Sequence, residues 1–249
     1  MKKRTGQKAF TLIELLIVIS IIALLVSILM PALSKARQSA KSIMCLNNQR
    51  QMTMASYNYA SSNNDFYPIA YYYNITPEKS SYHSWDFVTS KDWSTNPPTE
   101  NIKPGILWSY DDNMEIQQCP SFKGKSNTLA DPYTGYNYNT GFIGSGDLEK
   151  HPNKTAKVSM VKNPSNTALF GDGEYKDGAN HYMRAPQDPG IQSDFCYAGT
   201  QGYRHNGKTN VAFCDGHGQS WQQRYTGGNE NIAEGTGFLS EDNRLYDLK

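Results

Sequence analysis

The chain has 249 residues and a formal net charge of +1, with 24 lysines and arginines against 23 aspartates and glutamates. This length accommodates one or two domains and a sizeable core. A net charge this close to zero does not indicate the basic surface with which proteins bind nucleic acid. We therefore expect no nucleic acid partner.

Residues 1–9 form a short basic leader, which is the first element of the predicted organisation. Its removal lowers the formal net charge from +1 to −3, because it contains four cationic side chains and no acidic one. Positive charge at this end is typical of the cytoplasmic side of a membrane-inserted helix. The four cationic residues are Lys2, Lys3, Arg4 and Lys8.

Residues 12–30 form an apolar run that is long enough to cross a membrane. These 19 residues contain three polar side chains, Glu14, Ser20 and Ser27. As a helix they rise about 28 Å, close to the roughly 30 Å of a bilayer core, and a helix satisfies the backbone hydrogen bonds that lipid cannot. The alternative is a secretory signal cleaved near residues 32–34. We disfavour it because such signals contain only about 7–15 apolar residues.

Glu14 is the unusual residue of this run. A carboxylate costs about 2.5 kcal/mol or more near the middle of a membrane, so it calls for a partner. Cleavage between Ala9 and Phe10 would place a new α-amine four residues before Glu14, on the same face of a helix. We predict that Glu14 pairs with such an amine, in its own chain or in a neighbour. A solvated carboxylate at the membrane interface is the alternative.

The sequence of residues 9–16, AFTLIELL, resembles the prepilin processing motif of type IV pilins and type II secretion pseudopilins. The resemblance implies that a prepilin peptidase/methyltransferase removes the leader before Phe10 and then methylates its α-amine. It also implies that Glu14 guides the assembly of subunits, and Pro31 matches a proline that many of these subunits carry. Ala9 departs from the pattern, because most members have glycine there.

The same resemblance implies a location and a function. Members are single-pass proteins of the cytoplasmic (inner) membrane with a head outside the cytoplasm, and they leave the membrane when they assemble into a filament. The implied partners are the peptidase, other pilin-like subunits and the inner membrane. The leading hypothesis is therefore a structural subunit of a type II secretion pseudopilus or a type IV pilus-like filament, and not an enzyme.

Helical periodicity continues beyond the apolar run. Apolar residues recur at three- and four-residue steps over residues 33–47, and Pro31 removes one helical N–H, so a kink is expected there. We predict a transmembrane and assembly helix over residues 10–31 and an amphipathic continuation over residues 32–62. No flexible linker separates the two parts.

Residues 63–249 are predicted to form an extracytoplasmic globular head. Strands are predicted at residues 156–161, 167–170 and 210–214, and an Asp-Gly turn after the last of these favours a hairpin with residues 219–224. The predicted fold class is α+β, with a long N-terminal helix packed on an antiparallel β-sheet, as in pilins.

Aromatic residues are concentrated between residues 65 and 145, among many turn-forming residues. Since Trp and Tyr rings stack on sugars, one alternative hypothesis is a membrane-tethered module that binds extracytoplasmic glycan. We favour the simpler interpretation, in which these rings form the core of a loop-rich head. The tryptophans in question are Trp85, Trp93 and Trp108.

The chain contains four cysteines, and all of them follow the apolar run. An even number in an exported domain allows two disulfides, with three connectivities that the sequence does not distinguish. No C-x-x-C pair is present, so a zinc ribbon is not predicted. The last cysteine lies in an apolar strand and also suits a small buried residue. The four are Cys45, Cys119, Cys196 and Cys214.

A second resemblance lies near the C-terminus. His205 is followed after nine residues by Asp215 and Gly216, which is similar to the H-X9-DG element that some bacterial prepilin-like proteins carry after the same N-terminal motif. Turns at residues 206–207 and 215–216 flank one strand, so His205 and Asp215 are expected at its opposite ends. The simplest interpretation is that Asp215 caps a turn and His205 bonds a backbone carbonyl.

The acidic residues and histidines near these turns allow a bound ion as an alternative. Asp172 follows a predicted strand, and Asp215 and His217 follow another, so the three side chains form a candidate site for a divalent cation such as calcium. An EF-hand spacing is absent. No other cofactor is predicted.

A metal-dependent hydrolase using Asp172, His205 and Asp215 is the remaining alternative. The sequence contains no G-x-S-x-G, H-E-x-x-H or P-loop motif to support an enzyme.

Overall fold

The computed structural model of the chain describes residues 11–108, 114–125, 135–146, 155–176, 178–188, 193–227 and 230–249. The chain divides after residue 40 into two compact units. The predicted cleavage site between Ala9 and Phe10 lies outside the described residues. The predicted domain boundaries after residues 31 and 62 remain predictions.

Helix α1 runs from Leu12 to Ser62 and has 51 residues. Pro31 lies inside it, and the helix continues through this position. The predicted kink at Pro31 stays a prediction. The apolar part of α1 is long and apolar enough to cross a membrane, and its side chains are exposed.

The part of α1 in the second unit has one buried face, which packs on the head. The buried positions recur at steps of about one helical turn, as expected for an amphipathic helix. Several of them are polar, and these side chains bond to the head or to the helix backbone. The buried residues are Cys45, Gln49, Met52, Thr53, Ser56 and Ala60.

The head contains two main sheets among the described residues. An antiparallel meander is formed by β1 (Tyr71–Ile75), β2 (Lys79–Ser84), β3 (Phe87–Asp92) and β4 (Thr99–Pro104). The central sheet has the order β10-β9-β6-β5-β7, and its members are β5 (Asn137–Asn139), β6 (Ala168–Gly171), β7 (Tyr182–Met183), β9 (Thr209–Phe213) and β10 (Gly218–Trp221). A short pair joins β8 (Gln201–Gly202) to β11 (Thr236–Gly237).

The strands pair antiparallel, except that β5 and β7 are parallel. Short 3-10 helices lie in the loops at Ile106–Trp108, Met114–Gln117, Val158–Met160 and Ser193–Gly199, and a short π-helix lies at Thr140–Gly144. One long helix followed by antiparallel sheets confirms the predicted α+β fold class and its pilin-like layout.

The predicted hairpin near the C-terminus is present as β9 and β10, and the strand predicted at residues 167–170 corresponds to β6. The strand predicted at residues 156–161 is wrong. A 3-10 turn, Val158–Met160, takes its place. The carboxylate of Asp65 fixes this turn, because it accepts hydrogen bonds from the backbone N–H and the hydroxyl of Ser159.

Among the described residues between 65 and 145, more than half of the aromatic side chains are buried, as the simpler interpretation of the sequence predicts. The Trp85 ring packs against the rings of Tyr138 and Phe170, with centroid distances of 5.8 and 5.3 Å. Trp108 is also buried, whereas Trp93 on the meander is 54 % exposed. Rings of this size supply much of the apolar surface that the head buries.

Candidate functional site

The N-terminus of α1 carries a reciprocal hydrogen-bonded cap. The Glu14 carboxylate accepts hydrogen bonds from the backbone N–H of Thr11, at 2.9 Å, and from its hydroxyl, at 2.7 Å. The Thr11 hydroxyl in turn accepts from the backbone N–H of Glu14, at 3.3 Å. This is a capping box, the T-x-x-E pattern that starts many helices. The carboxylate therefore has hydrogen-bond partners in its own chain at the N-terminal end of the apolar run.

The two serines of the apolar run also have partners within the helix. Ser20 donates to the carbonyl of Ile17 at 2.8 Å, and Ser27 donates to that of Leu24 at 2.7 Å. Such bonds remove the cost of placing a free hydroxyl in lipid. The polar side chains of this run are thus compatible with a membrane.

A buried polar cluster lies where the second part of α1 packs on the central sheet. Its centre is Asp172, which directly follows β6 and is fully buried. Oδ2 of Asp172 accepts from the backbone N–H of Asn210 at 2.7 Å, and Oδ1 accepts from Nε2 of Gln49 on α1 at 3.0 Å. Because β6 and β9 are neighbours in the sheet, Asp172 at the end of β6 lies beside Asn210 near the start of β9.

Two cationic or titratable side chains complete the surroundings of this carboxylate. Nε2 of His205 lies 3.2 Å from Oδ2 of Asp172, and a guanidinium nitrogen of Arg204 lies 3.6 Å from Oδ1. Arg204 also pairs with Glu174 at 3.0 Å. A buried carboxylate needs such partners, since an unpaired charge in the interior is very costly.

The amide of Asn210 extends the cluster to the first turn of the second unit. Its Nδ2 donates to the carbonyl of Ser42 at 2.9 Å, while its Oδ1 accepts from the hydroxyl of Ser220 at 2.7 Å. Nε2 of Gln49 also donates to the carbonyl of Asn210 at 3.1 Å. The cluster therefore ties α1 to β9 and β10.

A disulfide joins Cys45 on α1 to Cys119. It borders the polar cluster, because Sγ of Cys119 lies 3.7 Å from Nε2 of His205. Cys196 and Cys214 are free and buried. Burial raises the pKa of the Cys214 thiol to about 12 and also raises the pKa of Cys196.

The segment from His205 to Gly216 consists of a turn, a strand and a second turn. Positive φ angles at Asn206 and Gly207, 54° and 76°, and paired backbone hydrogen bonds between His205 and Lys208 define the first turn. These angles are typical of a type I′ turn. Gly216, with a φ of 89°, closes the second turn before β10.

Asp215 caps this second turn. Its Oδ1 accepts from the backbone N–H of His217 at 3.0 Å and lies 2.5 Å from Nδ1 of the same residue. The His217 ring stacks on Phe213, with centroids 4.5 Å apart. The Asp215 and His217 side chains are well exposed to solvent.

The structure separates the three residues of the predicted calcium site. Asp172 is buried beside the start of β9, whereas Asp215 and His217 follow its end. A five-residue strand spans about 16 Å, too far for one ion to bridge. Asp172 is joined to His205 instead, and His205 bonds this carboxylate where a backbone carbonyl was expected. Sequence reasoning missed Gln49, Arg204 and Asn210, because only the packing of α1 and β9 brings them to Asp172.

One family model matches the chain. It is described as the prokaryotic N-terminal methylation motif, and it covers residues 4–30. No curated protein and no solved structure matches the chain significantly. The motif supports a pilin-like protein that prepilin peptidase processes, and with the exposed apolar part of α1 it supports a single-pass membrane anchor.

Proposed function

We propose that the chain is a structural subunit of a pilin-like filament. The observation that supports this most is the methylation motif at residues 4–30, placed at the start of a 51-residue helix. In this proposal a prepilin peptidase/methyltransferase cleaves between Ala9 and Phe10 and methylates Phe10. The mature subunit then assembles with pilin-like subunits through α1, in a type II secretion pseudopilus or a type IV pilus-like filament.

Glu14 has two successive partners in this proposal. Before assembly, the capping box with Thr11 satisfies the carboxylate within its own chain. During assembly, the methylated α-amine of a neighbouring subunit competes for it and adds a charge–charge attraction, which is strong at the low dielectric of lipid. In this proposal the head, residues 63–249, lies outside the cytoplasm once α1 is inserted in the membrane.

Mass spectrometry of the mature N-terminus tests the processing step. The chain is purified from membranes of a cell that has a prepilin peptidase and from a matched peptidase-deficient cell. The expected N-terminal peptide begins at Phe10 and carries one methyl group in the first sample, and it retains the leader in the second. An unprocessed Met1 in both samples, or a new N-terminus near residues 32–35, would refute the proposal.

A glycan-binding module is a second candidate, and one surface of the meander favours it. Tyr73 and Tyr82 place their rings 5.0 Å apart across β1 and β2, and the hydroxyl-bearing Ser80 and Thr89 lie beside them. Tyr73 is 45 % exposed. Binding of the detergent-solubilised chain to an oligosaccharide array tests this, with Tyr73→Ala as the variant. Binding that Tyr73→Ala leaves unchanged would count against this surface.

The hydrolase alternative is not favoured by the site. Asp172 and His205 lie together, but their side chains are only 0 % and 1 % exposed. A hydrolytic centre must admit both a substrate and water. This buried pair has instead the setting of a structural contact.

A further inference from the structure

Four metal-ligating side chains meet beside the buried polar cluster. Cys45, Cys119, Asp172 and His205 each place one ligand atom within 4.8 Å of the others, and all four residues are buried. They come from α1, from the segment after residue 117, from the end of β6 and from the turn before β9. Among the described residues, no other group of three or more histidine, cysteine, aspartate or glutamate side chains brings its ligand atoms this close together.

His205 faces both the sulfur and the carboxylate. Its Nε2 lies 3.7 Å from Sγ of Cys119 and 3.2 Å from Oδ2 of Asp172. Among the described residues, its other nitrogen, Nδ1, has no hydrogen-bond partner, and neither does Oε1 of Gln49. Nε2 is therefore the ring nitrogen that faces the other ligand atoms, and Nδ1 is left to carry the ring proton.

We propose that reduction of the Cys45–Cys119 disulfide converts this cluster into a zinc site. The ligands are the two thiolates, one carboxylate oxygen of Asp172 and Nε2 of His205. Two sulfurs, one nitrogen and one oxygen belong to the ligand set that Zn²⁺ binds in tetrahedral geometry. Thiolates are poor ligands for calcium and magnesium, which take oxygen. The site therefore shares Asp172 with the calcium site predicted from the sequence but differs from it in the other ligands and in the metal.

The surroundings suit the charge of such a site. Two thiolates and a carboxylate exceed the charge of Zn²⁺ by one, and the Arg204 guanidinium, which lies 3.6 Å from Asp172 and is shared with Glu174, offsets part of that charge. Gln49 and the backbone of Asn210 hold the carboxylate in place through hydrogen bonds of 3.0 and 2.7 Å. Groups in these positions orient metal ligands and raise affinity. With four protein ligands the site is closed, which is typical of structural zinc.

The disulfide and the zinc ion are alternative cross-links between the same residues. A dithiol reductant supplies two electrons and two protons to the Cys45–Cys119 bond and is itself oxidised to a disulfide. Zn²⁺ then displaces the two thiol protons to solvent, while the proton of the His205 ring resides on Nδ1. Oxidation of the two thiolates by a disulfide-forming oxidant expels the ion and restores the original bond.

This exchange fits a protein that is made in one redox compartment and used in another. Cytoplasmic thiols are kept reduced, whereas disulfides persist outside the cytoplasm. That order of events rests on the proposed function. The metal site does not, because the purified chain tests it whether or not a filament forms.

Cobalt titration of the full-length chain in detergent tests the proposal. The chain is reduced with a phosphine without oxygen, titrated with Co²⁺ as a spectroscopic probe, and then titrated with Zn²⁺. We expect one Co²⁺ per chain, thiolate-to-cobalt charge-transfer absorption, and displacement by Zn²⁺. The disulfide form should show none of this. Absence of charge transfer in the reduced chain, or equal binding by the oxidised chain, would overturn the proposal.

Variants assign the non-sulfur ligands. His205→Ala and Asp172→Asn should each weaken Co²⁺ binding by at least about tenfold, while the exposed His217→Ala and Asp215→Asn should not change it. Near-UV circular dichroism of each oxidised variant establishes that it is folded. If the reduced chain unfolds without metal, Zn²⁺ should restore its near-UV spectrum. Failure to restore it, or unchanged binding by His205→Ala, would refute the site.

Discussion

Nε2 of His205 lies 3.2 Å from Oδ2 of Asp172, and both side chains are almost completely buried. The same carboxylate accepts hydrogen bonds from Gln49 on α1 and from the backbone of Asn210 on β9. One acidic side chain thus connects α1, strand β9 of the central sheet and the turn that begins with His205. His205 begins the segment that ends at Gly216, and its side chain contacts Asp172 rather than Asp215.

Replacement of Asp172 by asparagine should destabilise the head strongly. The amide keeps the shape of the side chain but removes the anion beside His205 and leaves Arg204 with Glu174 alone. Breaking a buried pair of this kind costs about 3–5 kcal/mol. The control is Asp215→Asn at the exposed pair with His217, which should change stability by no more than about 1 kcal/mol. Thermal unfolding followed by near-UV circular dichroism measures both. Equal effects of the two changes would contradict a central role for Asp172.

The long helix and the C-terminal hairpin could be predicted because their signals are local. The apolar run and the three- and four-residue spacing define α1, and the Asp-Gly turn between two short β-forming segments defines β9 and β10. The meander β1–β4 could not be predicted in this way. Its second and fourth strands, KSSYHS and TENIKP, are largely polar and each has a single buried residue, so they lack the alternation that marks a half-buried strand.

The buried cluster was predictable only in part, for a different reason. Asp172 and His205 stand out in the sequence beside turns, but their contact depends on β6 lying next to β9. Gln49 is one of many polar residues on a helix, and nothing local marks it as buried. The pairing of Cys45 with Cys119 likewise requires the packing of α1, because four cysteines allow three connectivities.

Loss of the disulfide should also lower stability. It closes a loop with a sequence separation of 74 residues, for which the chain-entropy model gives about 4 kcal/mol within a typical range of about 2–5 kcal/mol. The double variant Cys45→Ala/Cys119→Ala, compared in the presence of a metal chelator, should show this loss in chemical unfolding. Cys196→Ala is the matched control and should cost about 1 kcal/mol. If the control costs as much as the double variant, the cross-link contributes little.

Cys214 should make the head less stable at alkaline pH. Burial raises its pKa from 9.0 to about 12, so the folded state keeps the proton where the unfolded state loses it. The contribution of this thiol to stability is therefore complete below about pH 9 and is lost as the pH rises towards about 12. The free energy of unfolding, measured from pH 8 to pH 11, should fall less steeply with pH for Cys214→Ala than for the unmodified chain. Parallel curves would show that the thiol does not titrate in this way.

Two substitutions of Glu14 separate its role in the helix cap from the role of its negative charge. Glu14→Gln retains the acceptor that the Thr11 N–H and hydroxyl require, since glutamine also serves in a capping box, but it cannot attract a protonated α-amine. We expect Glu14→Gln and Glu14→Ala to be inserted and cleaved at Phe10, and both to fail to enter filaments. Isolation of sheared filaments from cells that express each variant, with Ser20→Ala as a control within the same helix, measures incorporation. Normal incorporation of Glu14→Gln together with loss of Glu14→Ala would assign the role of Glu14 to the helix cap and refute the charge pairing.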